Sequence, residues 1–307
     1  FFAIICSVGL APINDASAAT TFVDAFDVFV EAGEPLDLAF NTEGTKMFVM
    51  GDGGTLWEYN CAAFDVSTCA VSASDEIGEE ANAQGFAFNN NGTKMFVVGY
   101  DLDAVFEYNC AAFDVSTCAV VLEGEKDVST EESVPLDLTF NTDGTKMFVT
   151  GTSGDVNEYD CAAFDVSTCA VVVGGKKDVS TEEDTPQDLT FNTDGTKMFV
   201  TGNDGDKVYE YACAAFDVST CSFTDAFSVL SQDADPTGLT FNTDGTKMFV
   251  TGANGQDVNE YTLSVGFDLN TATSSDCYDC TPPVLQNAHV TISSNDHVVA
   301  TGDEPVH

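Results

Sequence analysis

One phrase of ten residues recurs along the chain and constrains its fold more than any other feature. The phrase reads F-N-T-D-G-T-K-M-F-V, with small changes, and successive copies begin 48, 52, 51 and 50 residues apart. The copies begin at Phe40, Phe88, Phe140, Phe191 and Phe241. A repeat of this length is one supersecondary unit that cannot bury its apolar surface alone, so neighbouring units must stack. The spacing therefore predicts a repeat architecture.

Each unit carries four short, β-rich apolar runs separated by turns. In the third unit the runs cover residues 135–140, 146–150, 156–159 and 170–173, with the turn N-T-D-G at 141–144. This order is typical of an antiparallel four-stranded meander. The second run is apolar at consecutive positions, so both faces of its sheet need cover, and radial stacking of five sheets provides it. No segment shows a sustained period of 3.6 residues, so we expect an all-β, five-bladed β-propeller with helices nearly absent.

The two ends of the repeat array predict how the ring closes. Residues 20–26 (T-T-F-V-D-A-F) match the fourth-strand segment at 221–227 (C-S-F-T-D-A-F), whereas the fifth unit stops after its third strand and the loop 267–271. The N-terminal strand is therefore expected to complete the last blade, which removes two open sheet edges.

The repeat also resembles that of a known family. The stretch P-x-D-L-T-F-N-T-D-G-T-K-M-F-V-T, as at 135–150, resembles the YVTN-type repeat of lactonase-like extracellular β-propellers. The resemblance extends from Thr20 to about Thr271. It implies the propeller fold but no particular activity, because such propellers host many functions. Lactonase-like members usually have more blades and an asymmetric metal or catalytic site, which the sequence does not locate.

The predicted domain organisation has four parts. Residues 1–19 have the apolar run and the Ala16-Ser17-Ala18 cleavage pattern of a signal peptide clipped at its start, and a buried strand is the alternative. The propeller spans 20–272, and a linker containing C-x-x-C spans 273–283. Residues 284–307 resemble the start of a bacterial immunoglobulin-like module, so further C-terminal domains are expected. No stretch reaches 18 apolar residues, and no membrane insertion is expected once the signal is removed.

The 11 cysteines are interpreted as covalent staples, apart from Cys6 in the signal segment. Four pairs share one spacing: Cys61/Cys69, Cys110/Cys118, Cys161/Cys169 and Cys213/Cys221. The fifth unit lacks both partners together, with Leu263 and Ala272 in their places, as expected of disulfides; thiolate metal ligation is the alternative. Cys277 and Cys280 are expected to form a local disulfide, although zinc binding with downstream histidines is a second interpretation. Disulfides indicate an oxidising, extracellular or cell-surface location.

The charge of the chain excludes several partners. It contains 51 acidic residues, nine lysines and no arginine, for a net charge of −42. Binding to nucleic acid or to anionic membranes is therefore not expected. The acids are spread over every loop, which is typical of a solvated acidic surface and suggests a marine or salt-loving source.

The candidate metal site lies at the start of the first strand of each blade. The five equivalent residues are Asp37, Gly85, Asp137, Asp188 and Gly238. Three carboxylates around one channel mouth would repel one another, which favours a bound cation such as Ca²⁺ or raised pKa values. The loop acids that could assist are Asp52, Asp101, Asp103, Asp155, Asp204 and Asp206. In the alternative interpretation, the three aspartates only accept hydrogen bonds from backbone N–H groups.

A second repeated pattern indicates structure rather than chemistry. A lysine beside every M-F-V and a glutamate 12 or 13 residues later predict one ion pair in each blade. The pairs are Lys46/Glu58, Lys94/Glu107, Lys146/Glu158, Lys197/Glu210 and Lys247/Glu260. The residue before each glutamate is aromatic in three blades, where packing between blades or stacking on sugars is expected.

The resulting functional prediction is a secreted or cell-surface, non-catalytic propeller that binds an extracellular protein or glycan, or acts as a scaffold. Its expected working face includes the loops 131–133 and 182–184. No catalytic residue is assigned, because residues 20–271 contain no histidine and no nucleophile or nucleotide-binding motif. The alternative is a lactonase-like, metal-dependent hydrolase that uses the aspartate cluster, and convergence of the three carboxylates would favour it. A purely structural envelope component is the third possibility.

Overall fold

The computed structural model describes residues 20–80, 82–269, 288–292 and 298–302. The chain divides into two compact units, Phe1–Thr271 and Ala272–His307. In the first unit, five four-stranded antiparallel sheets form a ring, in which the first strands of successive blades are neighbours. The predicted all-β, five-bladed propeller is confirmed.

Within each blade the strands follow one another from the axis outwards. Blade 1 contains β2 (Pro35–Phe40), β3 (Lys46–Gly51), β4 (Thr55–Asn60) and β5 (Ala70–Glu76). Blade 2 contains β6 (Ala83–Phe88), β7 (Lys94–Gly99), β8 (Ala104–Asn109) and β9 (Ala119–Asp127). Blade 3 contains β10 (Pro135–Phe140), β11 (Lys146–Gly151), β12 (Asp155–Asp160) and β13 (Ala170–Asp178). Blade 4 contains β14 (Pro186–Phe191), β15 (Lys197–Gly202), β16 (Lys207–Ala212) and β17 (Ser222–Ser228).

Blade 5 is assembled from both ends of the repeat array. It contains β18 (Pro236–Phe241), β19 (Lys247–Gly252) and β20 (Asp257–Leu263), and β1 (Thr20–Asp27) is its outermost strand. β1 runs antiparallel to β20 with Thr20 opposite Leu263 and Phe22 opposite Tyr261. The rings of Phe22 and Tyr261 meet edge-on at 5.7 Å. Closure of the ring by the N-terminal strand is thus confirmed.

Helical structure is confined to short turns in the part of the chain that the structure describes. One four-residue helix, α1 (Phe29–Ala32), connects blade 5 to blade 1. Four single 3₁₀ turns precede the outer strands, at Val66–Thr68, Val115–Thr117, Val166–Thr168 and Val218–Thr220. None of the described helices is long and apolar enough to cross a membrane.

The core lies between the blades because the second strand of each blade is buried on both faces. Met147, Phe148 and Val149 of β11 are fully buried. The Phe148 ring packs against Phe191 of blade 4, with ring centres 4.6 Å apart. The same contact recurs at the other junctions between blades, so burial of apolar area on both sides of each sheet holds the ring together.

The predicted lysine–glutamate pairs form in all five blades and also connect neighbouring blades. Lys46 Nζ lies 2.7 Å from Glu58 Oε1 and donates to the carbonyl of Phe113 in blade 2. Glu58 Oε2 accepts from the backbone N–H of Val115, also in blade 2, at 3.2 Å. The equivalent Glu260 of blade 5 accepts from Val66 N of blade 1 at 3.3 Å. Each pair therefore ties its blade to the next one around the closed ring.

Four of the predicted disulfides are present. They join Cys61 to Cys69, Cys110 to Cys118, Cys161 to Cys169 and Cys213 to Cys221. In blade 1 the stapled loop presses the Phe64 ring onto Gly44, which has φ +67° and where a Cβ would lie 2.2 Å from that ring. The glycine of each N-T-D-G turn is thus required both by its backbone angle and by close packing. Cys277 and Cys280 lie outside the described residues.

Only one hairpin of the second unit is described. β21 (Ala288–Ile292) pairs antiparallel with β22 (Val298–Gly302). The predicted signal peptide, residues 1–19, and the linker, 273–283, lie outside the described residues, as does the remainder of the predicted immunoglobulin-like segment. These assignments stay predictions.

Candidate metal centre

The first strands bring three predicted site residues together on the axis of the ring. Asp37, Asp137 and Asp188 each place a carboxylate oxygen within 4.8 Å of the others. Their side chains are almost completely buried, with 4%, 2% and 3% of the surface exposed. The remaining two equivalent positions, Gly85 and Gly238, carry no side chain.

The close spacing of β6 and β10 explains why glycine occupies position 85. A Cβ at Gly85 of β6 would lie 2.7 Å from the Cα of Asp137 and 2.6 Å from its Oδ1. Real Cβ atoms do not approach other atoms so closely, so blade 2 contributes backbone alone to the axis. In every blade the register between the first and second strands shifts just before this position, for example between Pro35 and Asp37 in β2.

Each carboxylate of the trio accepts a hydrogen bond from the following blade. Asp37 Oδ2 accepts from Phe86 N at 2.7 Å, and Asp137 Oδ2 accepts from Leu189 N at 2.9 Å. Asp188 accepts in the same way from Leu239 N. Capping of backbone N–H groups, one of the two interpretations of these residues, therefore occurs, and the donors belong to the next blade around the ring.

The electrostatics of the trio require a compensating positive charge or protons. Burial raises the pKa of Asp37 to about 7. Burial, and then the charge of Asp37, raise the pKa of Asp137 well above its usual range. Burial and the neighbouring carboxylates do the same for Asp188. No lysine lines the cavity at this place, so three ionised carboxylates would have no protein counter-charge there.

The trio lies at one end of a cavity of about 230 Å³ that follows the axis. Residues of all five first strands line it, and its other end reaches Thr42, Asn89 and Asn90 in the turns that follow β2 and β6. The three aspartates, which the sequence predicts around a channel mouth, are therefore buried at one end of this cavity.

The donor set fits a calcium ion. Ca²⁺ takes oxygen ligands at about 2.3–2.6 Å, so two of its ligands lie at most about 5 Å apart. The three carboxylate oxygens satisfy this limit, and they supply the negative charge that a buried divalent cation needs. Within the described part of the chain, no other group of three possible ligands converges. The loop acids proposed to assist are not part of this group: Asp52, Asp101, Asp103, Asp155, Asp204 and Asp206.

The loops between blades contain buried acids that the sequence places on the working face. Glu132 is 1% exposed and accepts from Val134 N and from Ser153 N, at 3.1 and 3.2 Å. Glu183 is fully buried and accepts from Asp204 N at 3.1 Å and from Gly205 N at 3.2 Å. Burial raises the pKa of Glu183. The second glutamate of each E-E pair thus holds the neighbouring loop of its own blade and is not available to a ligand.

A belt of hydrogen bonds around the far end of the cavity was missed by sequence reasoning. The rim residues are Thr42, Asn90, Thr142, Thr193 and Thr243, the second residue of each N-T-D-G turn or its equivalent. Thr42 donates to Asn90 O, Asn90 to Thr142 O, Thr142 to Thr193 O and Thr243 to Thr42 O, at 2.7–3.1 Å. The sequence does contain a signal for this belt, because the five residues occupy the same position in every repeat.

The aromatic residues that precede the paired glutamates serve packing. Phe106 and Tyr209 are each 6% exposed and lie in the clusters between blades. Trp57 packs at the junction of blades 5 and 1. The rings of Phe106 and Tyr209 are therefore not available to stack on a sugar from solvent, whereas Trp57 is only half-buried.

No protein-family model and no curated protein matches the chain. Solved structures with a similar chain path include a functionally unknown protein from Desulfotomaculum acetoxidans DSM 771, with 14% identity, a TM-score of 0.44, and 71% of this chain and 62% of that one covered. A Lactobacillus plantarum protein has 13% identity and a TM-score of 0.49, covering 75% and 70%. The β-propeller domain of Myceliophteria thermophila Cps50 (Swd1) has 9% identity and a TM-score of 0.48, covering 79% and 99%. The match thus spans less than two thirds of the Desulfotomaculum protein.

Proposed function

We propose that this chain is a secreted or cell-surface propeller that acts as a non-catalytic binding or scaffold module for an extracellular protein or glycan. One observation carries the proposal: the convergent carboxylates connect neighbouring blades. Asp37, Asp137 and Asp188 are 2–4% exposed, and each accepts a backbone N–H of the next blade. A catalytic carboxylate must instead reach its substrate at hydrogen-bonding distance. The four disulfides support an oxidising compartment.

We further propose that the trio binds Ca²⁺ and that the ion is structural. Asp37, Asp137 and Asp188 belong to blades 1, 3 and 4, so an ion held between them links three blades at the axis. When bound, the cation supplies the positive charge that these buried carboxylates otherwise lack. A catalytic metal would in addition need an open coordination position facing a substrate.

A lactonase-like, metal-dependent hydrolase is the second candidate. It is favoured by the convergence of three carboxylate oxygens within 4.8 Å at the end of a cavity. The cavity, at about 230 Å³, is smaller than the about 300–1,000 Å³ of most small-molecule sites. Residues 20–271 contain no histidine that could act as a general base, so we place this candidate second.

A calcium titration of the full chain tests whether the aspartate trio binds Ca²⁺. A ligand that binds only the folded state stabilises it by mass action, by about 2.7 kcal/mol at 100 times the Kd. We therefore expect millimolar Ca²⁺ to raise the thermal unfolding midpoint. Asp137→Asn is the control, since its amide oxygen can still accept from Leu189 N while one negative charge is lost. This variant should show little of the increase. No stabilisation of the wild-type chain would exclude the calcium site.

Hydrolysis is tested on the same calcium-loaded protein. The assay measures acid release from aliphatic and aromatic lactones in a pH-stat. We expect no turnover above the rate in buffer. Turnover that disappears in Asp137→Asn would overturn the non-catalytic proposal and establish the hydrolase instead.

A further inference from the structure

A second cavity lies between blades 4 and 5, at the end of the ring where the first and second strands are joined. The blade 4/5 niche has a volume of about 190 Å³. Thr190 and Thr193 of blade 4 and Thr240 and Thr243 of blade 5 line it, together with Phe241 and Phe267. Thr190 and Thr240 also line the axial cavity, so the two cavities adjoin.

The belt of rim hydrogen bonds is open at this niche. The rim residue of blade 4, Thr193, makes no hydrogen bond to the carbonyl of Thr243, whereas the other four junctions have the corresponding bond. Within the described chain, the hydroxyls of Thr190, Thr193 and Thr240 have no protein partner. The niche therefore presents three hydroxyl groups that can both donate and accept hydrogen bonds.

One wall of the niche comes from the single blade loop without a disulfide. Phe267 lines the niche, and its ring packs on Phe241 with centres 5.3 Å apart. The equivalent loop of blade 4 is closed by the Cys213–Cys221 bond, but Leu263 and Ala272 replace both cysteines in blade 5. The Phe267 loop thus differs from its four counterparts in having no covalent closure.

The chemistry of the lining selects a neutral, hydroxyl-bearing ligand. No charged side chain lines the niche, although the chain has a net charge of −42. Hydroxyl groups beside aromatic rings match the hydroxyl groups and the C–H faces of a sugar ring. We propose that the blade 4/5 niche binds one neutral hexose unit of an extracellular glycan, an inference that rests on the proposed binding function.

A second junction provides an internal comparison. Between blades 1 and 2 the equivalent surface has Ala39 and Ala87 in the places of Thr190 and Thr240. There the Thr42 hydroxyl is also committed to Asn90 O, at 3.1 Å. This junction lacks the free hydroxyls, and we expect it not to bind the sugar.

The test is a titration of the full chain, with threonine methyl groups labelled, by D-glucose, D-galactose, D-mannose and N-acetyl-D-glucosamine at millimolar concentrations. For at least one sugar we expect saturable NMR shifts at Thr190, Thr193, Thr240 and Thr243, and none at Thr142. The variant Thr190→Ala/Thr240→Ala has alanine at both positions, as the blade 1/2 junction does, so it should fold with an unchanged unfolding midpoint. Loss of two hydrogen bonds should weaken its sugar binding about tenfold.

Two results would overturn the inference: no saturable shift with any of the four sugars, or binding that the double variant leaves unchanged. Either result, together with absent lactone turnover, removes the hexose site and leaves the non-catalytic proposal in place. Lactone turnover would remove the proposed function whatever the sugar titration shows.

Discussion

At the scale of single residues, space along the axis decides which blades contribute carboxylates. Asp37, Asp137 and Asp188 are tolerated because each carboxylate reaches a backbone N–H of the next blade. At Gly85 a side chain would meet the backbone of the neighbouring strand instead, since Leu136 O lies 2.7 Å from the position of a Cβ. The asymmetry of the trio is thus a packing effect in a ring of otherwise similar blades.

Gly85→Ala should therefore destabilise the fold. Overpacking at a site with rigid neighbours costs about 1–3 kcal/mol, measurable as a lower midpoint of urea unfolding. Gly78→Ala is the matched control, because nothing lies within 4 Å of a Cβ at that position. Equal stability of the two variants would contradict the close approach of β6 and β10.

How far the site is predictable from sequence can be judged at the same residues. The repeat alone places Asp37, Asp137 and Asp188 at equivalent positions, and their convergence follows once the blades form a ring. Their burial does not follow, because it depends on how closely neighbouring first strands approach. The partners of Asp137 and Asp188 likewise belong to other repeats, about 50 residues away, and no pattern within one repeat identifies them.

At the scale of elements, the link between neighbouring blades is a buried charge on the third strand. Glu158 of β12 pairs with Lys146 of β11 and accepts from Val218 N of blade 4 at 3.2 Å. The ion pair itself is predictable from the spacing of lysine and glutamate on adjacent strands. Its second role is not, since the N–H that Glu158 accepts comes from a loop of the next repeat.

Glu158→Ala should lower the free energy of unfolding by about 3 kcal/mol, because it leaves the Lys146 ammonium and a buried N–H without their acceptor. Lys176→Ala is the comparison, since Lys176 pairs with Asp155 but its side chain is 56% exposed, so solvent screens the pair and its loss should cost less, about 1 kcal/mol. Denaturant unfolding of both variants measures the difference. A Glu158 variant no less stable than the Lys176 variant would show that the buried pairs do not hold neighbouring blades together.

At the scale of the whole molecule, the net charge of −42 opposes compaction. Salt screens this repulsion, because the Debye length falls from about 30 Å at 0.01 M to about 3 Å at 1 M ionic strength. The thermal unfolding midpoint should therefore rise with sodium chloride. Tetramethylammonium chloride at equal ionic strength, which cannot occupy the aspartate trio as a small cation, should give a similar rise. A midpoint that falls with either salt would contradict the account of a solvated, self-repelling acidic surface.

Both proposed sites depend on closure of the ring, since the trio and the blade 4/5 niche exist only if blade 5 meets blades 1 and 4. The most direct test replaces Thr21 and Thr262, which are exposed and opposite each other in β1 and β20, by cysteine. Peptide mapping of the oxidised full chain should find the Thr21→Cys and Thr262→Cys sites joined within one molecule. Free thiols at both sites, or a bond only between molecules, would contradict closure by the first strand.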